Sequence, residues 1–240
     1  MHPDQETNNN FRSDVLTMML SPVESIVIWG AKGHAKVLAE FLPQLGHPII
    51  ALFDNDSLAE SPIPDVPLFY GRDGFVNWFA KQTRPSTIRG LVAIGGTGGA
   101  ARMEIQQWMS EIGIAALPVA IHPTAFVATD VQLGTGTQVL ALAAVCSGVR
   151  LGMACIINTH ASVDHESLLG DGVHLAPGAT LAGCVTVGDR TMIGVGAIVL
   201  PRICIGSDTV IGAGAVVTQD IPGGVVAYGN PARIIRDNHR

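Results

Sequence analysis

Residues 163–187 read VDHESLLGDGVHLAPGATLAGCVTV, and within them Val163, Leu169, Leu175, Leu181 and Val187 recur at every sixth place. The same step extends outward in both directions. It runs back through Ile157, Leu151, Val145, Val139, Leu133 and Val127 to Ile121, and forward through Ile193, Val199, Ile205 and Ile211 to Val217. If a third of residues were of these types, chance would give such a run about once in 10⁸ trials, so the repeat is real. Four places after each anchor the residue is small or β-branched, as at Ala143, Cys155, Ala161, Ala179 and Thr191. Gly134, Gly152, Gly170, Gly188 and Gly206 add a longer period of eighteen, which makes three hexads one unit. Such a chain winds into a triangular coil. Short strands form flat faces, the aliphatic anchors fill the axis, and glycine or small residues turn the corners. Stacked coils pair their backbones in parallel, so no single coil is stable alone.

The composition changes at about residue 120. The preceding half holds Trp29, Trp78, Trp108 and every lysine, whereas only Phe126 and Tyr228 are aromatic after it. Over all 240 residues the charge is −6, with 14% charged residues and 28 glycines, which excludes extensive disorder. No basic block points to nucleic acid. No apolar run reaches the ~18 residues of a membrane span, and the polar start does not read as a signal peptide. Cys146, Cys155, Cys184 and Cys204 show no C-x-x-C spacing, so reduced thiols in a cytoplasmic protein are expected.

The first half alternates strand and helix signals. Ser25–Trp29 reads as a strand, followed by a turn at Gly30-Ala31-Lys32-Gly33-His34 and a helix to about Leu45. Pro48–Phe53 reads as a second strand closed by Asp54. A helix near Gly74–Lys81, a strand at Leu91–Ile94, a helix to Ile112 and a short strand before Pro118 follow. The expectation is a small parallel α/β sheet of Rossmann-like kind. Residues 1–24 read as a polar leader. Gly30, Gly33 and Asp54 occupy the places where a glycine turn, a helix N-terminus and a strand-end acid hold a phosphate and ribose. The same glycines would serve a plain tight turn equally well. Roughly 95 residues give only half of a dinucleotide domain, which disfavours NAD.

Histidines supply the chemical signal in the second half. His160, His165 and His174 fall within about one coil, and none occupies an anchor position. Asp164 and Glu166 flank His165, a setting that raises imidazole basicity and fixes its tautomer. That flank singles out His165 over His160. Gly183 lies eighteen residues beyond His165, so its N–H is expected beside that imidazole as an oxyanion donor. Gly178, Gly196 and Gly214 share the same spacing. They are either corner glycines or a bare strip along which a pantetheine arm lies. Arg202, Arg233 and Arg236 come late enough to meet phosphates. No cysteine or serine has an activating partner, so direct transfer is expected rather than an acyl-enzyme.

The repeat over residues 121–220 resembles the left-handed parallel β-helix of hexapeptide-repeat acyltransferases. A longer series is more specific: Gly30-Ala31-Lys32-Gly33-His34-Ala35-Lys36-Val37, Ile121-His122-Pro123-Thr124, Asn158-Thr159, Val163-Asp164-His165-Glu166 and Gly229-Asn230-Pro231-Ala232-Arg233. From about 25 to 236 the chain resembles the bacterial nucleotide-sugar acetyltransferases of bacillosamine and perosamine pathways and the sialic acid O-acetyltransferases. The resemblance implies a nucleotide-sugar-binding domain over 25–118, a β-helix acyltransferase domain over 119–222, and a tail over 223–240. It implies acetyl-CoA as co-substrate, no metal, and a homotrimer with its sites between subunits. His165 would be the general base, Glu166 its assistant, and Asn158 would line the site. Gly30, Lys32, Gly33, His34, Asp54 and Asp164 would bind the nucleotide sugar, while His174, Gly183, Gly196, Gly214, Arg202 and Arg233 would bind the cofactor. Gly95-Gly96-Thr97-Gly98-Gly99 departs from the more polar stretch common in that family. The expected reaction is N-acetylation of a nucleotide-linked 4-amino-4,6-dideoxysugar, with O-acetylation of a sugar hydroxyl as the alternative. A γ-type carbonic anhydrase would also use His160 and His165, but its third zinc histidine is absent near Thr124. A non-enzymatic trimer that binds nucleotide sugars is the remaining rival.

Overall fold

A computed structural model of the chain describes residues 24–238. The leader expected over 1–24 falls outside these residues except for Glu24, which pairs with Arg89 at 2.6 Å. Strands β1 (Ser25–Trp29), β2 (Ile49–Asp54), β3 (Leu68–Tyr70) and β4 (Ile88–Val92) form one parallel sheet in the order β3-β2-β1-β4. Helices α1 (Gly33–Ala39), α2 (Gly71–Phe79) and α3 (Gly99–Glu111) connect and cover it. The β-branched and aromatic runs Ile26–Trp29 and Ala51–Phe53 are fully or almost fully buried, as a parallel sheet covered on both faces requires. Successive strands switch direction across the sheet between β1 and β4. Their C-terminal ends, at Gly30 and the Ala93–Gly96 loop, are the place where open α/β sheets of this kind hold ligands.

Details depart from the sequence reading for local reasons. Pro43 cannot continue α1, so a separate 3₁₀ turn at Pro43–Leu45 precedes Gly46, whose φ of 85° ends it. The strand expected at Leu91–Ile94 begins earlier, at Ile88, and pairs fully with β1. The strand expected before Pro118 is a single bridge between Gly90 and Ala116. β3, three residues at the sheet edge, gave no legible signal.

From β5 (Val119–Ile121) onward the chain is a three-sided β-helix whose faces are sheets of five, eight and six strands. From Val119 to Val217 the strand pairings along each face join residues eighteen apart, as in Ile156 with His174 and His174 with Met192, and the register shortens to sixteen where Val210 meets Val226. The anchors from Val139 to Val217 are at most 5% exposed and form one continuous core. The corners, however, are not at Gly134, Gly152, Gly170, Gly188 and Gly206. Every sixth residue from Gly136 to Gly214 has φ between 52° and 79°, and these positions make the turns. Gly134, Gly170, Gly188 and Gly206 serve a different need, because a Cβ there would lie within 3 Å of the next coil's backbone. Leu142, Ala154, His160, Glu166, Cys184, Arg190, Arg202 and Asp208 all accept the left-handed corner conformation. Since an inert Leu142 or Ala154 does so too, corner strain marks the fold rather than a site.

Residues 223–240, set apart as a tail, contain strands Val225–Gly229 and Ala232–Asp237. They pair antiparallel and extend the eight-stranded face beyond Val210–Ile211. The α/β unit packs on the early coils of this same face. Leu140 and Ile156 belong to the core that includes Ile26, Leu38, Leu91 and Leu117. Among the described residues no helix is long and apolar enough to cross a membrane.

Candidate functional site

The expected site residues fall into three groups. The first stands at one corner of the β-helix. His165 Nδ1 lies 3.2 Å from Glu166 Oε2, and the His165 N–H donates to Asp164 Oδ1 at 2.7 Å. With a carboxylate as acceptor, Nδ1 carries the proton and Nε2 keeps its lone pair. The imidazole is 54% exposed, so that lone pair is open to an incoming reactant. Gly183, one coil on, forms the ring's floor: a Cβ there would overlap Nε2 and approach Cε1 and Cδ2 at 2.6 and 2.9 Å. Among the described residues the Gly183 N–H has no acceptor, although its carbonyl accepts the Arg202 N–H at 3.0 Å. Gly148, Glu166, Cys184 and Arg202 stack at this corner at successive intervals of eighteen, all with positive φ. Arg202 is thus brought to the same corner as His165, in an exposed position.

The second group lies where the α/β unit meets the coil. His174 is 5% exposed on the His174–Leu175 strand. Its Nδ1 is 3.2 Å from Gly96 O and its Nε2 is 3.1 Å from Asn158 Nδ2. A carbonyl only accepts, so Nδ1–H donates to Gly96 and Nε2 accepts from Asn158. Asn158 Oδ1 in turn accepts the Thr159 N–H at 2.8 Å, which fixes the amide. Burial, followed by the charges of Arg102 and His34, pushes the His174 pKa down to about 4. His174 is therefore neutral near pH 7 and does not take up a proton there. His34, at the first turn of α1, contacts Gln138 Oε1 at 2.6 Å, while Gln138 Nε2 donates to Val92 O at 2.9 Å. His34 must then donate from Nε2. Burial is the main cause that lowers its pKa as well.

Arg102 of α3, which the sequence did not single out, organises this junction. It is fully buried and donates to three carbonyls: Ile94 O and Ala154 O at 2.6 Å each and Gly172 O at 2.8 Å. Desolvation lowers its pKa to about 10, so it remains a cation at neutral pH. Two of its acceptors, Ala154 and Gly172, are stacked corner residues, and the third belongs to the loop at the crevice. In the Gly95–Gly99 stretch, close packing demands the last glycine: a Cβ on Gly99 would lie 2.5 Å from Gly172 O.

The third group lines the crevice beside β1. Gly30 has φ 107°, and a Cβ on it would lie 2.7 Å from Ala93 O, so no other residue fits. Asp54 accepts from Ala31 N at 2.7 Å and from Asp56 N at 2.9 Å, bracing the two strand-end loops against each other. Lys32 is 70% exposed and pairs with Asp56 at 3.3 Å. Gly33 has open space around it.

The remaining positions are dispersed. Gly178, Gly196 and Gly214 repeat at one corner with φ of 68°, 62° and 65°, above His160. Their positive φ explains glycine there. Around Gly196 and Gly214 nothing lies within 4 Å of a Cβ, so the strip is also open. Arg233 and Arg236 lie exposed on the final strand, and among the described residues their side chains donate to the nearby backbone carbonyls of Ala232 and Asp237. Asn158 is not brought to His165. They belong to successive corners of one coil, marked by His160 and Glu166, and no contact joins the two groups among the described residues. His160 and His165 are separated in the same way. His165 instead has Glu166 and Cys184 for neighbours, with ligand atoms all within 4.8 Å of one another.

Comparisons with known proteins fit this arrangement. The family model for bacterial transferase hexapeptide (six repeats) matches residues 184–219. The perosamine N-acetyltransferase from Caulobacter crescentus, crystallised as a histidine mutant with CoA and GDP-perosamine, is 38% identical with a TM-score of 0.81. That match covers 90% of this chain and 99% of the other. The acetyltransferase domain of PglB from Neisseria gonorrhoeae FA1090 is 33% identical with a TM-score of 0.78, covering 88% and 100%. WeeI from Acinetobacter baumannii AYE is 25% identical with a TM-score of 0.76, covering 88% and 100%. The anchors, the β3-β2-β1-β4 sheet and these likenesses over nearly the whole of each relative lead to one assignment: the chain belongs to the bacterial sugar acetyltransferases of the left-handed β-helix superfamily.

Proposed function

We propose that the protein transfers an acetyl group from acetyl-CoA to the amino group of a nucleotide-linked 4-amino-4,6-dideoxysugar, with His165 as general base. The observation that carries this is the contrast in histidine environments. His174 is buried and neutral with both nitrogens engaged, whereas His165 is exposed, with Glu166 fixing Nδ1–H and leaving Nε2 free. The PglB domain has been solved with acetyl-CoA, and the perosamine enzyme with CoA and GDP-perosamine, which supports both reactant classes.

The neutral amine attacks the thioester carbonyl while Nε2 of His165 removes its proton. Negative charge gathers on the carbonyl oxygen, and the unengaged Gly183 N–H is suited to receive it. The tetrahedral intermediate collapses, the C–S bond breaks, and the proton on His165 passes to the departing thiolate. Transfer is direct, within a ternary complex. The pantetheine arm follows the open strip at Gly178, Gly196 and Gly214, and Arg202, Arg233 and Arg236 meet the CoA phosphates. The nucleotide occupies the crevice between β1 and β4, with Gly30, Lys32, Gly33, His34 and Asp54 around it, and Asp164 faces the sugar.

Since Asn158 and His165 stand at different corners, one chain presents two incomplete halves. A homotrimer that sets one subunit's His165 corner against the next subunit's Asn158–His174 seam completes the site. The four cysteines are free. That suits a reducing compartment, and we place the reaction in the cytoplasm. The decisive test is steady-state kinetics of His165→Ala with amino-nucleotide sugars. Turnover should fall by about 10² or more while CoA affinity stays nearly constant. A wild-type rate would remove His165 from the mechanism.

A further inference from the structure

Cys184 has no part in the proposed transfer, yet it lies against the general base. It occupies the left-handed corner directly above Glu166, with φ of 61° against 58° for Glu166. Glycine fits such a conformation best, and Gly148 fills it at the same corner two coils before. Cysteine here brings a sulfur to 3.7 Å from Glu166 Oε2, which is itself 3.2 Å from His165 Nδ1. These three ligand atoms lie within 4.8 Å of one another.

The spacing matches a particular ion. Zinc binds imidazole nitrogen at about 2.0–2.1 Å, carboxylate oxygen at about 2.0–2.2 Å and thiolate at about 2.3 Å. Tetrahedral angles then separate N from O by about 3.4 Å and O from S by about 3.6 Å. The observed N–O and O–S separations of 3.2 and 3.7 Å need only small adjustments, and the N–S separation, within 4.8 Å, closes to the required ~3.5 Å by rotation of the exposed side chains. Thiolate and imidazole together select a borderline-soft ion over magnesium or calcium. Stacked coils hold the backbones of Glu166 and Cys184, and Gly183 lies beneath the imidazole, so the three side chains are neighbours before any ion arrives. In the single chain the imidazole and carboxylate are 54% and 71% exposed, so an ion enters by the opening that admits the reactants and keeps a fourth position for water.

We propose that His165, Glu166 and Cys184 form a zinc site that switches acetyl transfer off. On binding, the Cys184 thiol releases its proton to solvent. The imidazole proton moves from Nδ1 to Nε2, because Nδ1 now donates its lone pair to the metal. Nε2 then has no lone pair and no longer accepts a proton from the amine. The zinc is an inhibitor and takes no part in turnover. The inhibitory half of this inference rests on His165 acting as base, whereas the binding half does not.

The test uses the full chain, stripped with a chelator and titrated with zinc alone against a zinc-responsive dye. Wild type should retain one zinc per chain, and Cys184→Gly, which suits the corner backbone, should retain it at least tenfold more weakly. Cobalt should give a thiolate-to-metal charge-transfer band in wild type that is missing in the variant. Equal affinity in the two proteins, or surrender of all zinc to the dye, overturns the site. Acetylated product is followed by mass spectrometry in a buffered zinc series, because the CoA thiol itself binds zinc. Saturating zinc should slow wild type at least tenfold and Cys184→Gly less than twofold. An uninhibited wild type with zinc bound overturns the inhibitory half. His165→Ala assayed without zinc reports on the base alone, so failure of the functional reading shows there and leaves the dye titration untouched.

Discussion

His165 and His174 project from the same β-helix but into opposite surroundings. At the His165 corner the groups are exposed and lightly tied, and one carboxylate sets the tautomer. At the His174 seam everything is buried and engaged: Asn158 on one nitrogen, Gly96 on the other, with the Arg102 charge close enough to lower the pKa. The first arrangement suits proton transfer, which needs a free lone pair and access. The second suits position, because a neutral ring with a fixed tautomer behaves as a rigid strut between the crevice loop and the coil. Identical side chains thus acquire different surroundings from burial and from the partners it brings.

The sharpest way to break this contrast is to remove the cation beneath the seam. Arg102→Ala leaves the carbonyls of Ile94, Ala154 and Gly172 without their donor and opens a cavity between α3 and the coil. A loss of about 3–5 kcal/mol is expected from unpaired buried acceptors and lost packing. Urea denaturation is the measurement, and the α/β unit should come undone before the β-helix does. A single transition at the wild-type midpoint would show that Arg102 does not secure the junction.

Much of the His165 side was legible in the sequence, because its determinants are local. Asp164 and Glu166 adjoin the histidine, and a period of eighteen carries Gly183 to it, whereas Cys184, one coil above Glu166, was not singled out. The anchors were legible for the same reason, since each coil repeats the last. The seam was not. Arg102 sits on an amphipathic helix where an arginine reads as solvent-facing, and its acceptors are 8, 52 and 70 residues away. Only the docking of the sheet on the coil brings them together. The corner at Gly178, Gly196 and Gly214 was legible as glycine, whereas other corners were not, because Leu142, Ala154 and Arg190 occupy them and carry no turn signature.

A second, somewhat smaller effect separates the two histidines by pH. The folded pKa of His174, about 4, lies below the ordinary value of 6.5. Between these values the unfolded chain binds the extra proton and the folded chain does not. Stability from this group is therefore complete above about pH 6.5 and is lost as pH falls toward 4, by on the order of 3 kcal/mol. His174→Gln keeps a polar side chain at the seam and cannot titrate. Melting temperatures of the two proteins from pH 7 to pH 4 should converge as the solution becomes more acidic, because only the wild type loses this contribution. Parallel curves would mean that His174 is protonated at no special cost in the fold.

The smallest expected effect acts on the exposed corner and spares the fold. Gly183 has an ordinary φ, so alanine there strains no backbone, but its methyl would occupy the space of the His165 ring. The ring is exposed and free to rotate aside, which moves Nε2 away from the approaching amine and disturbs its contact with Glu166. Gly183→Ala should therefore melt within a degree or two of wild type while turnover falls about tenfold, or about 1.4 kcal/mol in activation free energy. A larger fall in melting temperature than in rate would assign Gly183 to coil stacking, as with Gly134 and Gly206. An unchanged rate would show that the imidazole works without its floor, and the corner would then owe its function to Glu166 alone.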